Sequence, residues 1–180
     1  MLLLAATFAW AELTRQPSGH SRYSNSVLGF RYSPPPGLID GTKRARADVK
    51  LRTGANAILQ AQLLLSMASG FDDSTANWRS LTILTLPRTA FPDRDDTQAE
   101  AKTNAFIAHS QKTGIYPRSV SVSGQAFAVS VFGLHERGIV KGAVVWTTVR
   151  KGKLLSFAFA ANSPEVLKAL TESMKTVQFY

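Results

Sequence analysis

Side chains able to do chemistry are sparse in this chain of 180 residues, and their spacing points away from catalysis. The three histidines, His20, His109 and His135, stand far apart. No pair has the H-x-x-x-H spacing that puts two imidazoles on one helix face, and no glutamate stands where a zinc-peptidase base belongs. His109 falls near an expected helix end, where a cation suits the dipole, and that is sufficient reason for it. Asp93, Asp95 and Asp96 cluster the carboxylates that a hard cation wants. The calcium-loop pattern fails there, with no glycine at the sixth position and the closing glutamate misplaced, so they read as acids ahead of a helix N-terminus. Asp72-Asp73 reads as an ordinary loop pair. No G-x-S-x-G elbow supports a nucleophilic serine, so Ser121, Ser123 and Ser130 read as strand residues, and no glycine-rich loop has phosphate-cradling spacing. The absence of cysteine excludes disulfides, thiolate metal sites and thiol nucleophiles together. The expectation is a protein that is not an enzyme and holds no metal or cofactor.

What the composition offers instead is positive charge: 21 Lys and Arg against 12 Asp and Glu, a formal net charge of +9. Such an excess favours contact with an anionic partner, although solubility alone is the simpler account. Two clusters carry it. Lys43, Arg46 and Lys50 share one face of an expected helix, with Arg44 and Arg52 flanking Asp48 on another. Arg150, Lys151 and Lys153 gather at an expected hairpin tip. Both are explained as solvated faces, and by elimination both are the candidate surface for an anionic partner, each contact weakened by salt. Neither has the interleaved aromatics that single-stranded nucleic acid would want, which sets nucleic acid aside. Trp78 and Trp146 read as core anchors.

The element that must carry the second cluster is the clearest in the chain. Lys151-Gly152 between two apolar runs predicts a two-residue hairpin turn, with glycine supplying the positive φ. That loop pairs Arg150 with Lys153, Thr148 with Leu155, Trp146 with Phe157 and Val144 with Phe159. Alternation then gives a bulky face (Val144, Trp146, Thr148, Leu155, Phe157, Phe159) and a small one (Ala143, Val145, Thr147, Val149, Leu154, Ser156, Ala158, Ala160). Neither is a solvated face, so the hairpin belongs inside a sheet covered twice.

Around it, residues 1–11 form an apolar run ending Ala9-Trp10-Ala11, which reads as an export signal, truncated because its positive n-region is missing. Residues 12–21 read as a flexible lead-in and 22–180 as a single domain. A strand pair is expected over 22–33, its second strand running through Leu28, Phe30 and Tyr32. A helix capped by Thr42 follows, reaching about Arg52 and stopped by Gly54. Residues 57–68 and 78–86 read as buried strands. Thr97 and Glu100 form a capping box for a helix reaching about Lys112, stopped by Gly114 and carrying a stripe of Ala101, Ala105 and Ala108. Two short strands meet at Gly124, and Ser163-Pro164-Glu165 opens a last amphipathic helix. The sum is an α/β (α+β) three-layer sandwich: a mainly antiparallel central sheet of about six or seven strands with helices on both faces.

Two stretches are similar to the PsbP-like superfamily, which includes the photosystem II extrinsic protein, a Ran-binding nuclear protein and exported bacterial proteins. Tyr23-Ser-Asn-Ser-Val-Leu-Gly-Phe-Arg-Tyr-Ser-Pro-Pro-Pro-Gly-Leu38 resembles the opening "Y-x-N…GF-x-x-x-x-P-x-G" strand pair. Lys153-Leu-Leu-Ser-Phe-Ala-Phe-Ala-Ala-Asn-Ser-Pro-Glu165, with Val177-Gln-Phe179, resembles the last strand and closing helix. The resemblance implies an α/β/α sandwich and an accessory or binding role, with no catalytic residue carried over. The reading that results is an exported protein, periplasmic or secreted, not transmembrane, engaging a partner protein or anionic envelope component. The alternatives are a small-molecule or lipid carrier with a cavity between sheet and helix, and a hydrolase.

Overall fold

The structure is a computed structural model that describes residues 22–53, 61–70, 72–90, 95–108, 111–112, 118–136 and 139–180. The expected signal, the lead-in, Gly54 and Gly114, the loop before Asp95, and His20 and His109 lie outside the described residues, as does the side chain of His135.

Among the described residues there are three α-helices and eleven strands, the strands forming two sheets. In chain order they are β1 (Tyr23–Asn25), β2 (Phe30–Tyr32), β3 (Ile39–Asp40), α1 (Thr42–Thr53), β4 (Gln62–Ala68), β5 (Arg79–Pro87), α2 (Asp96–Ala108), β6 (Gln111–Lys112), β7 (Arg118–Val122), β8 (Gln125–Glu136), β9 (Ile139–Arg150), β10 (Lys153–Ala161), α3 (Pro164–Thr171) and β11 (Gln178–Phe179). The large sheet has eight strands, in the order β3-β4-β5-β10-β9-β8-β6 with β7 also paired to β8; the small one is β1-β2-β11. All of the pairings are antiparallel. The expected α+β sandwich is there, with one addition: the first and last strands leave the central sheet and form a sheet of their own.

The hairpin has the expected register, Arg150 opposite Lys153 through Val144 opposite Phe159. Its turn residues Lys151 and Gly152 both take positive φ, +48° and +72°, which is the twist a two-residue hairpin requires. Its bulky face is the main core. Phe157 meets Phe30, Tyr32 and Phe127 at 5.7, 5.6 and 6.2 Å, all close to edge-on, the geometry ring quadrupoles favour. The small sheet with its β1–β2 turn, and α3 with the segment that follows it, close that face with Leu28, Phe30, Tyr32, Leu167, Leu170, Met174 and Val177. The small face lies against α2, where Ala99 meets Leu86 and Leu154. There Thr147 and Ser156 satisfy each other at 2.7 Å, so two buried hydroxyls cost little.

Several local expectations shift. Leu28 is buried in the β1–β2 turn, ahead of the strand, where its N–H is held by Asn25 Oδ1 at 2.9 Å. Thr42 is the first helical residue and caps nothing. Asp40 Oδ1 takes its N–H at 2.8 Å, while its hydroxyl accepts the Ser66 N–H at 3.0 Å on the edge of β4. The cap of α2 is Asp95, two residues before the expected Thr97: its carboxylate accepts the Gln98 N–H at 2.8 Å and the Gln98 side-chain amide at 3.2 Å. A carboxylate is the stronger acceptor there and also suits the positive end of the dipole. Residues Gln111–Lys112 pair with β8 instead of extending α2. Among the described side chains of α2, Ala99 and Thr103, four apart, are buried, whereas Ala101 is only half-buried; the side chains of Ala105 and Ala108 lie outside the described residues. Ser123 sits in the β7–β8 turn at φ +48°, not in a strand.

Candidate functional site

The structure keeps the two basic clusters apart. Helix α1 runs along β4, and β4 and β5 stand between it and the hairpin. Arg46 is committed to the fold: its Nε and Nη2 donate to the Leu63 and Leu64 carbonyls at 2.8 and 3.1 Å, closing part of the sheet edge that β3 leaves open. Lys43 is exposed and Arg44 half-buried; the side chains of Lys50 and Arg52 lie outside the described residues.

At the other cluster, Arg150 is a clamp. Its Nε donates to the Leu28 carbonyl at 3.1 Å and its Nη2 to the Tyr180 main-chain oxygen at 3.0 Å, and its guanidinium lies 5.1 Å from the Phe179 ring centroid. One side chain thus ties the small sheet to the hairpin tip. Lys151 is exposed at the turn and Lys153 half-buried opposite Arg150. The Arg88 N–H donates to the Gly152 carbonyl at 3.2 Å, bringing a further guanidinium to this end, held to Asp96 at 2.7 Å.

The clamp makes the outer face of the small sheet continuous with the tip. Tyr23, Phe30 and Phe179 turn inward to the core. Period two then sends Arg22, Ser24, Arg31, Gln178 and Tyr180 outward. Arg22 and Arg31 both donate to Gln178 Oε1, at 3.1 and 2.5 Å, and Ser24 shares a 3.2 Å hydrogen bond with the Tyr180 hydroxyl. No Asp or Glu occurs in residues 13–39, 137–164 or 173–180, the segments that form this face and the hairpin. Val27 and Tyr180, 71% and 60% exposed, are the exposed large hydrophobic residues among those described, and both adjoin this end. The sequence reading missed Arg22 and Arg31 because neither lies in a run of cations; the signal was the missing acids.

Other titratable groups sit elsewhere. Lys141 is 2% exposed, its Nζ 2.6 Å from Asp73 Oδ2 and 4.6 Å from the Trp78 ring centroid. Asp73, read from sequence as an ordinary loop acid, is the partner of a buried ammonium. Asn162 holds the same loop, donating to the Asp73 and Thr75 carbonyls at 2.6 and 2.7 Å. Glu100 is half-buried on α2; burial, with the neighbouring Asp96 charge adding to it, pushes its carboxyl up to about 7. Tyr32 donates to Ser173 Oγ at 2.6 Å, Ser173 in turn donating to the Leu170 carbonyl, and burial holds the phenol above its ordinary range. Among the described residues no three or more His, Cys, Asp and Glu come together as a metal would need. No described helix is long and apolar enough to cross a membrane.

No family model and no curated protein matches the sequence. Solved structures do. The chain is similar to cyanobacterial PsbP from Synechocystis sp. PCC 6803, with TM-score 0.58 and 13% identity over 96% of this chain and 99% of that one. It is also similar to a protein from Bacteroides thetaiotaomicron VPI-5482, with TM-score 0.50 and 11% identity over 91% of this chain, which spans only 49% of that one. LpqN of Mycobacterium tuberculosis, involved in cell envelope biogenesis, matches at TM-score 0.48 and 9% identity over 89% of this chain and 85% of that one. The fold is PsbP-like, and at these identities the likeness is one of fold.

Proposed function

We propose that this chain is a non-enzymatic accessory protein, periplasmic or secreted, that binds an anionic partner, either a protein or another envelope component. The observation that carries the reading is the outer face of the small sheet joined to the hairpin tip. Arg22 and Arg31 on that face and Arg150, Lys151 and Lys153 at the tip gather there, and the segments that build it contain no Asp or Glu. Unneutralised cations on one rim raise the local concentration of anions and steer their approach. The apolar run ending Ala9-Trp10-Ala11 supports export, and the PsbP-like fold is compatible with an accessory role.

A photo-crosslinker at exposed Ser24, with fractionation of the source cells, tests it. Salt-sensitive crosslinking outside the cytoplasm, lost when Arg22 and Arg31 are both changed to Glu, is the expected result. Protein confined to the cytosol, or crosslinks indifferent to those two charges, would overturn it.

A further inference from the structure

Resting on that reading and deepening it, we propose that the anionic partner is the surface of a lipid bilayer, met edge-on by the end of the sandwich where the β1–β2 turn, the β9–β10 tip and Tyr180 converge. Three observations point there. First, the charged side chains that the small sheet and the hairpin tip themselves supply are cations, Arg22 and Arg31 on the outer face and Lys151 and Lys153 at the rim, with no Asp or Glu in those segments, and the Asp96 carboxylate nearby is paired with Arg88. An acidic protein would satisfy that charge equally well, so charge alone does not choose the occupant.

The second observation does. Both exposed large hydrophobic residues among those described, Val27 and Tyr180, stand at the same end. Arg150 fixes their positions through one guanidinium, bonded to the carbonyl of Leu28 beside Val27 and to the main-chain oxygen of Tyr180. The Tyr180 N–H closes the ring of contacts on the Gly29 carbonyl at 2.9 Å. Stable attachment to a bilayer takes two signals, a basic patch for the head groups and apolar groups that enter the boundary, and tyrosine is the residue type that prefers that depth. Here the two signals are adjacent.

The third concerns rigidity. Gly29 has φ +65°, and a Cβ there would lie 2.4 Å from the Tyr180 main-chain oxygen and 3.1 Å from Lys151 Nζ. The turn, the tip and Tyr180 are therefore in mutual contact, so the apolar pair and the ammonium group are presented together without ordering a loop on binding. Preorganisation of this kind lowers the entropic cost of association.

Vesicle co-sedimentation of the full chain tests the proposal, using phosphatidylcholine alone and phosphatidylcholine with about one third phosphatidylglycerol. The chain is expected to sediment with the anionic vesicles, to ignore the neutral ones, and to release as salt rises. Arg31→Glu with Lys151→Glu should weaken binding more than tenfold. Val27→Ser should weaken it severalfold while leaving the salt dependence unchanged. Lys43→Glu, on α1 beyond two intervening strands, should leave it unchanged. Should Arg31→Glu disturb folding by losing Gln178, Arg22→Glu with Lys151→Glu carries the same expectation, with a thermal melt as control. Equal binding to neutral vesicles, or Lys43→Glu as damaging as the tip variants, would overturn it. If vesicles are ignored while the Ser24 crosslinker still captures a protein in a charge-dependent way, the lipid inference falls and the broader anionic-partner reading stands.

Discussion

Neutralising Asp73 should cost more than neutralising Lys141, although both changes break the same 2.6 Å ion pair. The difference lies in what each change leaves behind. Asp73→Asn removes the carboxylate 2.6 Å from an ammonium group that is 2% exposed and has little water to replace it, while the other contacts of Lys141 stay. Breaking a buried pair from one side costs about 3–5 kcal/mol when nothing else compensates the charge that remains, and less where other contacts hold it. The Trp78 ring, 4.6 Å from Nζ, remains and offsets about 1 kcal/mol of that, so about 2–4 kcal/mol is expected. Lys141→Met leaves a carboxylate that is 24% exposed and keeps the apolar stem, so the loss is nearer to that of a surface pair, about 1–2 kcal/mol. Asn162 still donates to the Asp73 and Thr75 carbonyls, so the loop stays docked and the difference reports on charge. In the double variant the sum of the single costs should exceed the measured cost by about 2 kcal/mol. Urea unfolding followed by tryptophan fluorescence reads this out, Trp78 being the indole against the ammonium. For a chain of this length, each kcal/mol moves Tm by about 2–4 °C, which gives a second readout. An Asp73→Asn variant no less stable than Lys141→Met, or additive single costs, would refute the reasoning.

Two further outcomes follow from the structure. Glu100 has its carboxyl raised from an ordinary value of 4.5 to about 7, so the folded state holds the proton more tightly than the unfolded one. Its contribution is complete below the ordinary value and lost as pH rises through about 7. Glu100→Gln should therefore match the parent at pH 4 and exceed it above pH 7, by about 1 kcal/mol after allowance for its exposed half; a gain confined to acid would sink the assignment. Gly29 and Gly124 share a positive φ, +65° and +77°, but a Cβ at Gly124 meets nothing within 4 Å while one at Gly29 meets main chain. Gly124→Ala should cost about 1 kcal/mol, and Gly29→Ala more than twice that while loosening the small sheet, measured by urea midpoints and amide exchange at Tyr180.

What was legible in the sequence is what local patterning decides. The hairpin register came from Lys151-Gly152 and strict alternation, two signals that agree, and every pair from Arg150 with Lys153 to Val144 with Phe159 is in place. Ser163 caps α3 as expected, accepting the Val166 N–H at 3.2 Å. Legibility ended where a distant partner decides. The three-stranded sheet joins Phe30 to Phe179, near opposite ends of the chain, and nothing local announces that pairing. Thr42 looked like a cap because its hydroxyl stands at a helix start, but a β4 edge group takes that hydroxyl instead. Lys141 continues the inward period of Ala143, Val145 and Thr147, so alternation alone would have placed it inside; a lysine in that position reads as an error unless its acid is known. Asp73, in a loop remote in sequence, gives no such notice.

The sign bias of the outer face is not something the fold demands. The small sheet is held by its inward residues, Tyr23, Phe30, Tyr32 and Phe179, and by main-chain pairing, so Arg22, Ser24, Arg31 and Gln178 are under little packing constraint. An even scatter of the 12 acids would put about four of them in the three segments that have none. Strand propensity disfavours lysine as well as the acids, so it accounts for few charges but not for charges of a single sign. Solubility is served by either sign, and acids serve it better than bases. A rim whose own segments carry no Asp or Glu and that also gathers Val27 and Tyr180 thus needs an explanation from outside the chain. An anionic, partly apolar surface is the kind of partner whose chemistry matches both halves of it.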